Sequence, residues 1–199
     1  MSQEPSSVPR SGAEPSRFCP GDRGVLRRVA WESIRHGLEH GGALKVLPAE
    51  YPSSLQELAA AFVTLEVRGE LRGCVGSLEP RRPLVVDVAH NAFAAAFQDY
   101  RFRPLSSSEL PDLDLHLSIL TPLVLLEVGS RKKLVEFLRP GVDGLSLQDP
   151  PCRSTFLPQV WQSLQDPEEF LGELLLKAGL PMDHWSPTLR FWRYEVEEL

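Results

Sequence analysis

The chain predicts an α+β fold, a mainly antiparallel sheet flanked by helices. Three observations carry that reading. Alternating segments meet around the tight link Arg68-Gly69-Glu70, the pattern of a β-hairpin. Two long stretches, around 22–40 and 83–98, carry apolar residues at helical spacing. Strands and helices then mix without the regular alternation that builds a parallel sheet.

Each element follows in order. Asp22 opens a helix to about His40, with Val25, Leu26, Val29, Ala30, Ile34 and Leu38 on one stripe. Gly41-Gly42 stops it. A loop over 43–57 holds Pro48 and Pro52, and the hairpin occupies 60–79. Pro83 suits a first helical turn, and the helix 83–98 buries Leu84, Val85, Val88, Ala92 and Phe93. Strands at 113–120 and 123–128 are expected to pair with each other across Thr121-Pro122. Ser130 caps a short helix, 131–138, and Gly141 and Gly144 frame a turn into a strand at 145–148. Pro158 opens a further short helix. Asp166-Pro167 opens another, an N-cap acid followed by proline at the first helical position, and Gly179 and Pro181 end it. A last strand is expected over 189–196.

The 199 residues suffice for one domain with a small lobe, and 42% hydrophobic residues supply a sizeable core. Residues 1–20, rich in Ser, Pro and Glu, read as a disordered tail, neither signal peptide nor membrane span, and 21–199 as the domain. A net charge of −6 argues against nucleic acid as a partner. Six arginines fall between positions 68 and 103 with acids interleaved, a mixed surface that can hold a small anionic ligand. Cysteines at 19, 74 and 152 form neither a disulfide framework nor a Cys-x-x-Cys metal pair, so a reduced, cytoplasmic chain is expected.

Chemistry points to Leu71-Arg72-Gly73-Cys74-Val75-Gly76. Glycine inside a strand sacrifices packing and usually marks a bulge or the close approach of another group. In a regular strand Arg72 and Cys74 share a face, and a guanidinium beside a thiol favours thiolate. Cys74 then reads as a nucleophile, with Gly73 and Gly76 clearing the approach of a substrate. The other reading is a packed cysteine acting as a small hydrophobe.

Other candidates are weaker. Asp99 and Arg101 follow a helix end and serve either as a site pair or as a loop clamp. Thr155 either caps the short helix at Pro158 or faces a cleft. His36 and His40 are four apart on one helix face, but no third ligand stands near, so no metal site and no cofactor is assigned. His116, between Leu115 and Leu117, reads as a satisfied strand histidine.

The hexapeptide resembles the signature of the AMMECR domain family. Ala96-Phe97-Gln98-Asp99-Tyr100-Arg101-Phe102-Arg103-Pro104-Leu105, Leu117–Pro122, Thr155–Trp161 and Lys177-Ala178-Gly179-Leu180 resemble its further blocks, over about residues 22 to 196. The form is most similar to the members called AmmeMemoRadiSam system protein A. This chain has Asp143-Gly144 where the family often has His-Gly, so no role for that histidine carries over. The resemblance implies two unequal lobes with the hexapeptide facing the cleft between them. It also implies companions, a Memo-type protein and a radical S-adenosylmethionine enzyme; this chain lacks the three-cysteine run of such an enzyme's cluster. Two functions remain open. In one, Cys74 is a nucleophile, served by Arg72 or Arg101 with Asp99 orienting the guanidinium. In the other, the chain is a non-catalytic binding or scaffold subunit.

Overall fold

The computed structural model describes residues 17–199. In chain order it runs α1 (Pro20–His40), α2 (Ser53–Gln56), β1 (Ala61–Val67), β2 (Glu70–Gly76), α3 (Leu84–Phe97), β3 (Leu113–Leu120), β4 (Val124–Leu126), α4 (Arg131–Phe137), β5 (Gly144–Asp149), β6 (Cys152–Phe156), α5 (Pro167–Lys177), β7 (Arg190–Tyr194) and β8 (Val196–Glu198). The strands form two antiparallel sheets, ordered β2-β1-β3-β8 and β4-β7-β5-β6. The expected α+β class holds, with two sheets rather than one. No helix among the described residues is long and apolar enough to cross a membrane.

Local chemistry sets the helix ends as expected. The Ser130 hydroxyl accepts from the Lys133 amide, and one Asp166 carboxylate oxygen accepts from the amides of Glu168 and Glu169. Gly41 closes α1 in the left-handed conformation at φ 72°. The helix starts two residues earlier than Asp22, because Cys19 is the N-cap and its sulfur accepts from the Asp22 amide at 3.4 Å.

The first lobe is the larger. α1 and α3 cover one face of its sheet, burying Val63, Leu65, Leu115, Leu117 and Ile119 against Leu26, Ile34, Val88 and Ala92. The second core joins Leu145, Leu147 and Phe191 to α5, with Trp161 stacked flat on Phe170 at 3.8 Å. Ala60, Leu120 and Tyr194 bury a third cluster with Phe62, Leu123 and Leu157 at the seam.

Three expectations are corrected. The strands at β3 and β4 do not pair with each other: Thr121-Pro122 carries the chain from the first sheet to the second. The single strand expected over 189–196 splits at Glu195 and crosses back, β7 lying in the second sheet and β8 in the first. The two crossings hold one another, since the Thr121 amide donates to the Glu195 carbonyl at 2.9 Å and the Glu195 amide donates to the Thr121 hydroxyl at 2.8 Å. The boundary of the expected tail also moves. Residues 1–16 lie outside the described residues, but Phe18 is 2% exposed in the first core, and Arg17 bonds Glu57 and Glu197. A Ser-, Pro- and Glu-rich average conceals one aromatic side chain placed to anchor α1.

Candidate functional site

Alternation along the first sheet divides its side chains between two surroundings. One set enters the core under α1 and α3. The other, including Thr64, Glu66, His116, Ser118 and Glu198, looks into a cleft of about 1110 Å³. Gln159, Gln162 and Glu195 help to form the opposite wall, so both lobes build the space. Cys74 pairs with Thr64 across β1 and β2, which puts it on the cleft face at the edge strand. The Thr64 hydroxyl donates to the Cys74 sulfur at 3.4 Å.

The backbone of Cys74 is clamped from the open edge of the sheet. Its amide donates to Asp99 Oδ2 at 2.9 Å, and Arg101 Nη2 donates to its carbonyl at 3.4 Å. Asp99 also takes Arg101 Nη2 at 2.6 Å and Arg101 Nε at 2.9 Å. The Arg101 hydrogen bonds hold the Asp99 carboxyl well below the ordinary carboxylate range. These two side chains thus satisfy groups that a neighbouring strand would otherwise meet. Arg101 also lies over the Phe102 ring at 5.4 Å.

The other expected site residues fall elsewhere. Arg72 does not serve Cys74. A register shift between Leu65 and Glu66 sets a bulge at this point of β2, so the strand is not regular there. The Arg72 guanidinium instead bonds Glu109 at 2.7 Å and the Arg103 carbonyl at 2.8 Å. The Arg72 bond leads the effects that lower the Glu109 carboxyl to about 2. The glycines clear no path for a substrate, because the protein fills the space itself. A Cβ on Gly73 would stand 2.1 Å from the Ala95 carbonyl oxygen of α3, and one on Gly76 would stand 2.4 Å from the Phe62 ring. Thr155 caps no helix. It lies in β6, where its hydroxyl donates to the Leu145 carbonyl at 3.1 Å and bonds the Tyr194 hydroxyl at 2.9 Å. Asp143 is fully buried against Arg139, and its carbonyl accepts the Trp161 indole N–H, a structural use of that position.

The cleft residues escaped the sequence reading. Glu66, His116, Ser118 and Glu198 are the polar members of alternating strands, a signal that marks an uncovered face without saying what lies opposite. His116, expected to be a satisfied strand histidine, is 52% exposed on its side chain, and its Nε2 stands 3.8 Å from Glu66. Ser118 donates to Glu198 at 3.0 Å. His36, by contrast, is turned to the Gly42 carbonyl and stacked on His40.

Comparisons with known proteins agree with this architecture. The family model described as AMMECR1 matches residues 27–199. A protein of Methanothermobacter thermautotrophicus is 40% identical over 179 residues, covering 87% of this chain and 91% of its own. Protein MJ0810 of Methanocaldococcus jannaschii is 37% identical over 161 residues, 77% of this chain and 78% of its own. The crystal structure of uncharacterized protein PH0010 from Pyrococcus horikoshii superposes with a TM-score of 0.78 at 33% identity, covering 87% of this chain and 88% of that one. With its fold, its hexapeptide and these matches in agreement, the chain belongs to the AMMECR1 family.

Proposed function

We propose that this protein binds a small polar molecule in the cleft between its sheets and that Cys74, at the Thr64 end, is the group that reacts with it. The observation that carries this reading is the position of the thiol. It sits on the cleft face of an edge strand, its backbone pinned by Asp99 and Arg101 and its sulfur in contact with Thr64, the residue at which the polar lining of the cleft begins. The two ends of the cleft differ in charge. Glu66, Glu195 and Glu198 favour a neutral or cationic part of the ligand. At the Cys74 end an anionic part would meet Arg101, whose side chain is 44% exposed but whose charge is shared with Asp99.

The alternative is a non-catalytic binding subunit with Cys74 packed, and it draws on the hydrogen bond that the sulfur already accepts from Thr64. Iodoacetamide separates the two. With the folded protein at neutral pH, peptide mass spectrometry should find Cys74 alkylated about tenfold faster than Cys152. Equal or slower labelling of Cys74 removes the nucleophile and leaves the binding subunit.

Partners rest on other grounds. The resemblance to AmmeMemoRadiSam system protein A supports a Memo-type protein and a radical S-adenosylmethionine enzyme as companions, any radical chemistry residing in the latter. Three free cysteines support a reducing, cytoplasmic setting. Co-purification of this chain with both companions is the expected result; their absence from a native-level pull-down argues for independent action.

A further inference from the structure

The strand register aligns three side chains that sequence separates widely. Thr64 pairs with Cys74 on one side and with His116 on the other. Cys74, Thr64 and His116 therefore form one row across β2, β1 and β3, all on the cleft face. Paired residues in neighbouring antiparallel strands stand about 4.5–5.5 Å apart at Cα, so the outer two are roughly 10 Å apart, with one hydroxyl between them. The first contact of the row is made, Thr64 Oγ1 lying 3.4 Å from Cys74 Sγ with the hydroxyl as donor; the relay requires that hydroxyl to rotate, so that the thiol donates to Thr64 Oγ1 and the Thr64 proton turns to the imidazole. The second link is not made: the half-exposed imidazole turns to Glu66, 3.8 Å away, and the relay requires it to swing along the row to Thr64.

We propose that His116 is the proton acceptor for Cys74, working through the Thr64 hydroxyl. The inference rests on the reading of Cys74 as the reactive group. The step balances within the protein. The thiol gives its proton to Thr64 Oγ1, the Thr64 hydroxyl gives its own to an imidazole nitrogen, and a thiolate and an imidazolium result. A hydroxyl can play this part because it donates once and accepts twice. Other charged groups around the row favour the same distribution. Glu66, and Asp114 paired with it, present carboxylates beside His116, with Glu198 one strand further on. Arg101 stands beside Cys74, its charge offset by Asp99. Arg72 is already committed to Glu109. Thr64 touches the sulfur, whereas His116 acts through it, so the arrangement is a relay rather than a direct pair.

The test follows Cys74 alkylation by iodoacetamide from pH 5 to 10 in four proteins: the parent, His116→Gln, Thr64→Val and Thr64→Ser. There the sulfur bonds the acetamide carbon and iodide leaves. Loss of a positioned base is expected to slow labelling at pH 7 by about tenfold or more in His116→Gln and Thr64→Val. The difference should vanish at pH 10, where solvent removes the proton. Thr64→Ser keeps the hydroxyl and should restore the parent rate. Circular dichroism and Cys152 labelling report folding in each variant, and Ser also controls for the shape change made by Val. If parent Cys74 labels fast but His116→Gln matches it at every pH, the relay is wrong and the reactive cysteine stands. If parent Cys74 labels no faster than Cys152, the reactive cysteine falls, and the relay with it.

Discussion

Two edge strands, each carrying a cysteine, are protected by different means. β6 ends the second sheet and is covered by α5: Ser154 donates to the Leu174 carbonyl at 2.7 Å, and Lys177 donates to the Thr155 carbonyl at 2.9 Å. The helix that supplies those contacts also fills the core behind them. β2 ends the first sheet and is closed on its open edge by Asp99 and Arg101, two side chains of the loop after α3. Both solutions remove an edge that would otherwise template aggregation. They differ in what they leave open. A helix that packs against a strand covers side chains along with backbone, while a carboxylate–guanidinium clamp meets backbone groups and leaves the Cys74 side chain facing the cleft. That leaves β2 as the edge at which the proposed chemistry can be placed.

The sharpest way to break the comparison is to force β2 away from α3. Gly73→Ala places a Cβ 2.1 Å from the backbone oxygen of Ala95, an atom that cannot swing aside. The expected loss is about 3 kcal/mol, at the upper end for overpacking. For a domain of this size that lowers the thermal midpoint by about 6–12 °C. Gly129→Ala, with nothing within 4 Å of the new atom, is the control and should stay within about 0.5 kcal/mol. A Gly73→Ala protein that melts with the parent would mean that β2 sits less tightly on α3 than described.

Next come the two clamps. Asp99→Ala removes the acceptor from the Cys74 amide and the partner from Arg101. The expected cost is about 1–3 kcal/mol, most of it from the orphaned amide, because the half-exposed guanidinium recovers water. Ser154→Ala should cost about 0.5–1.5 kcal/mol, since the Leu174 carbonyl keeps the Ala178 amide as a donor. Urea midpoints of the two variants check the order. A larger loss for Ser154→Ala would reverse the account of which edge depends on its side chains.

Acid should also separate the edges. Glu109, bonded by Arg72, is lowered to about 2 in the folded protein, against about 4.3 unfolded. Its contribution is therefore complete above pH 4.3 and is lost as pH falls from there through 2. Lys177 at the other edge is protonated in both states throughout that window and adds no slope. The stability difference between the parent and Glu109→Gln should accordingly be larger at pH 7 than at pH 3. A difference that stays constant would show that the Arg72–Glu109 pair is not the source.

How much of this was legible depended on how local its cause is. Ser130, Asp166-Pro167 and Gly41 act within a few residues, and their helix ends fall where sequence puts them. β6 went unread because Cys152-Arg153-Ser154-Thr155-Phe156 has little alternation and is held by α5. The strand pairings around Thr121 and Glu195 failed for the opposite reason: nearness in sequence suggested partners that the other sheet supplies. Glycine at 73 and 76 marks a close approach, but the sequence suggests a substrate as the approaching group, and only the fold tells that a helix carbonyl and an aromatic ring fill the space. Arg72 was placed beside Cys74 on the assumption of a regular strand, and one bulge undid that. His116 was legible as a strand residue and illegible as a cleft residue, because alternation cannot distinguish solvent from a facing lobe.

The smallest effect concerns Cys74 itself. Cys74→Ser exchanges a sulfur for an oxygen at a half-buried position where the Thr64 hydroxyl already stands as a partner. The new hydroxyl therefore arrives with a hydrogen bond available and an opening to water, and the usual penalty for an unpaired buried polar group does not apply. The expected cost is under about 1 kcal/mol. Its backbone bonds to Asp99 and Arg101 need only the main chain and persist unchanged. Thermal melts of Cys74→Ser and Asp99→Ala side by side test this separation between the side chain and the clamp that presents it. A loss for Cys74→Ser equal to that for Asp99→Ala would show that the thiol is packed as part of the edge. The two edges would then differ in construction but not in what they leave free.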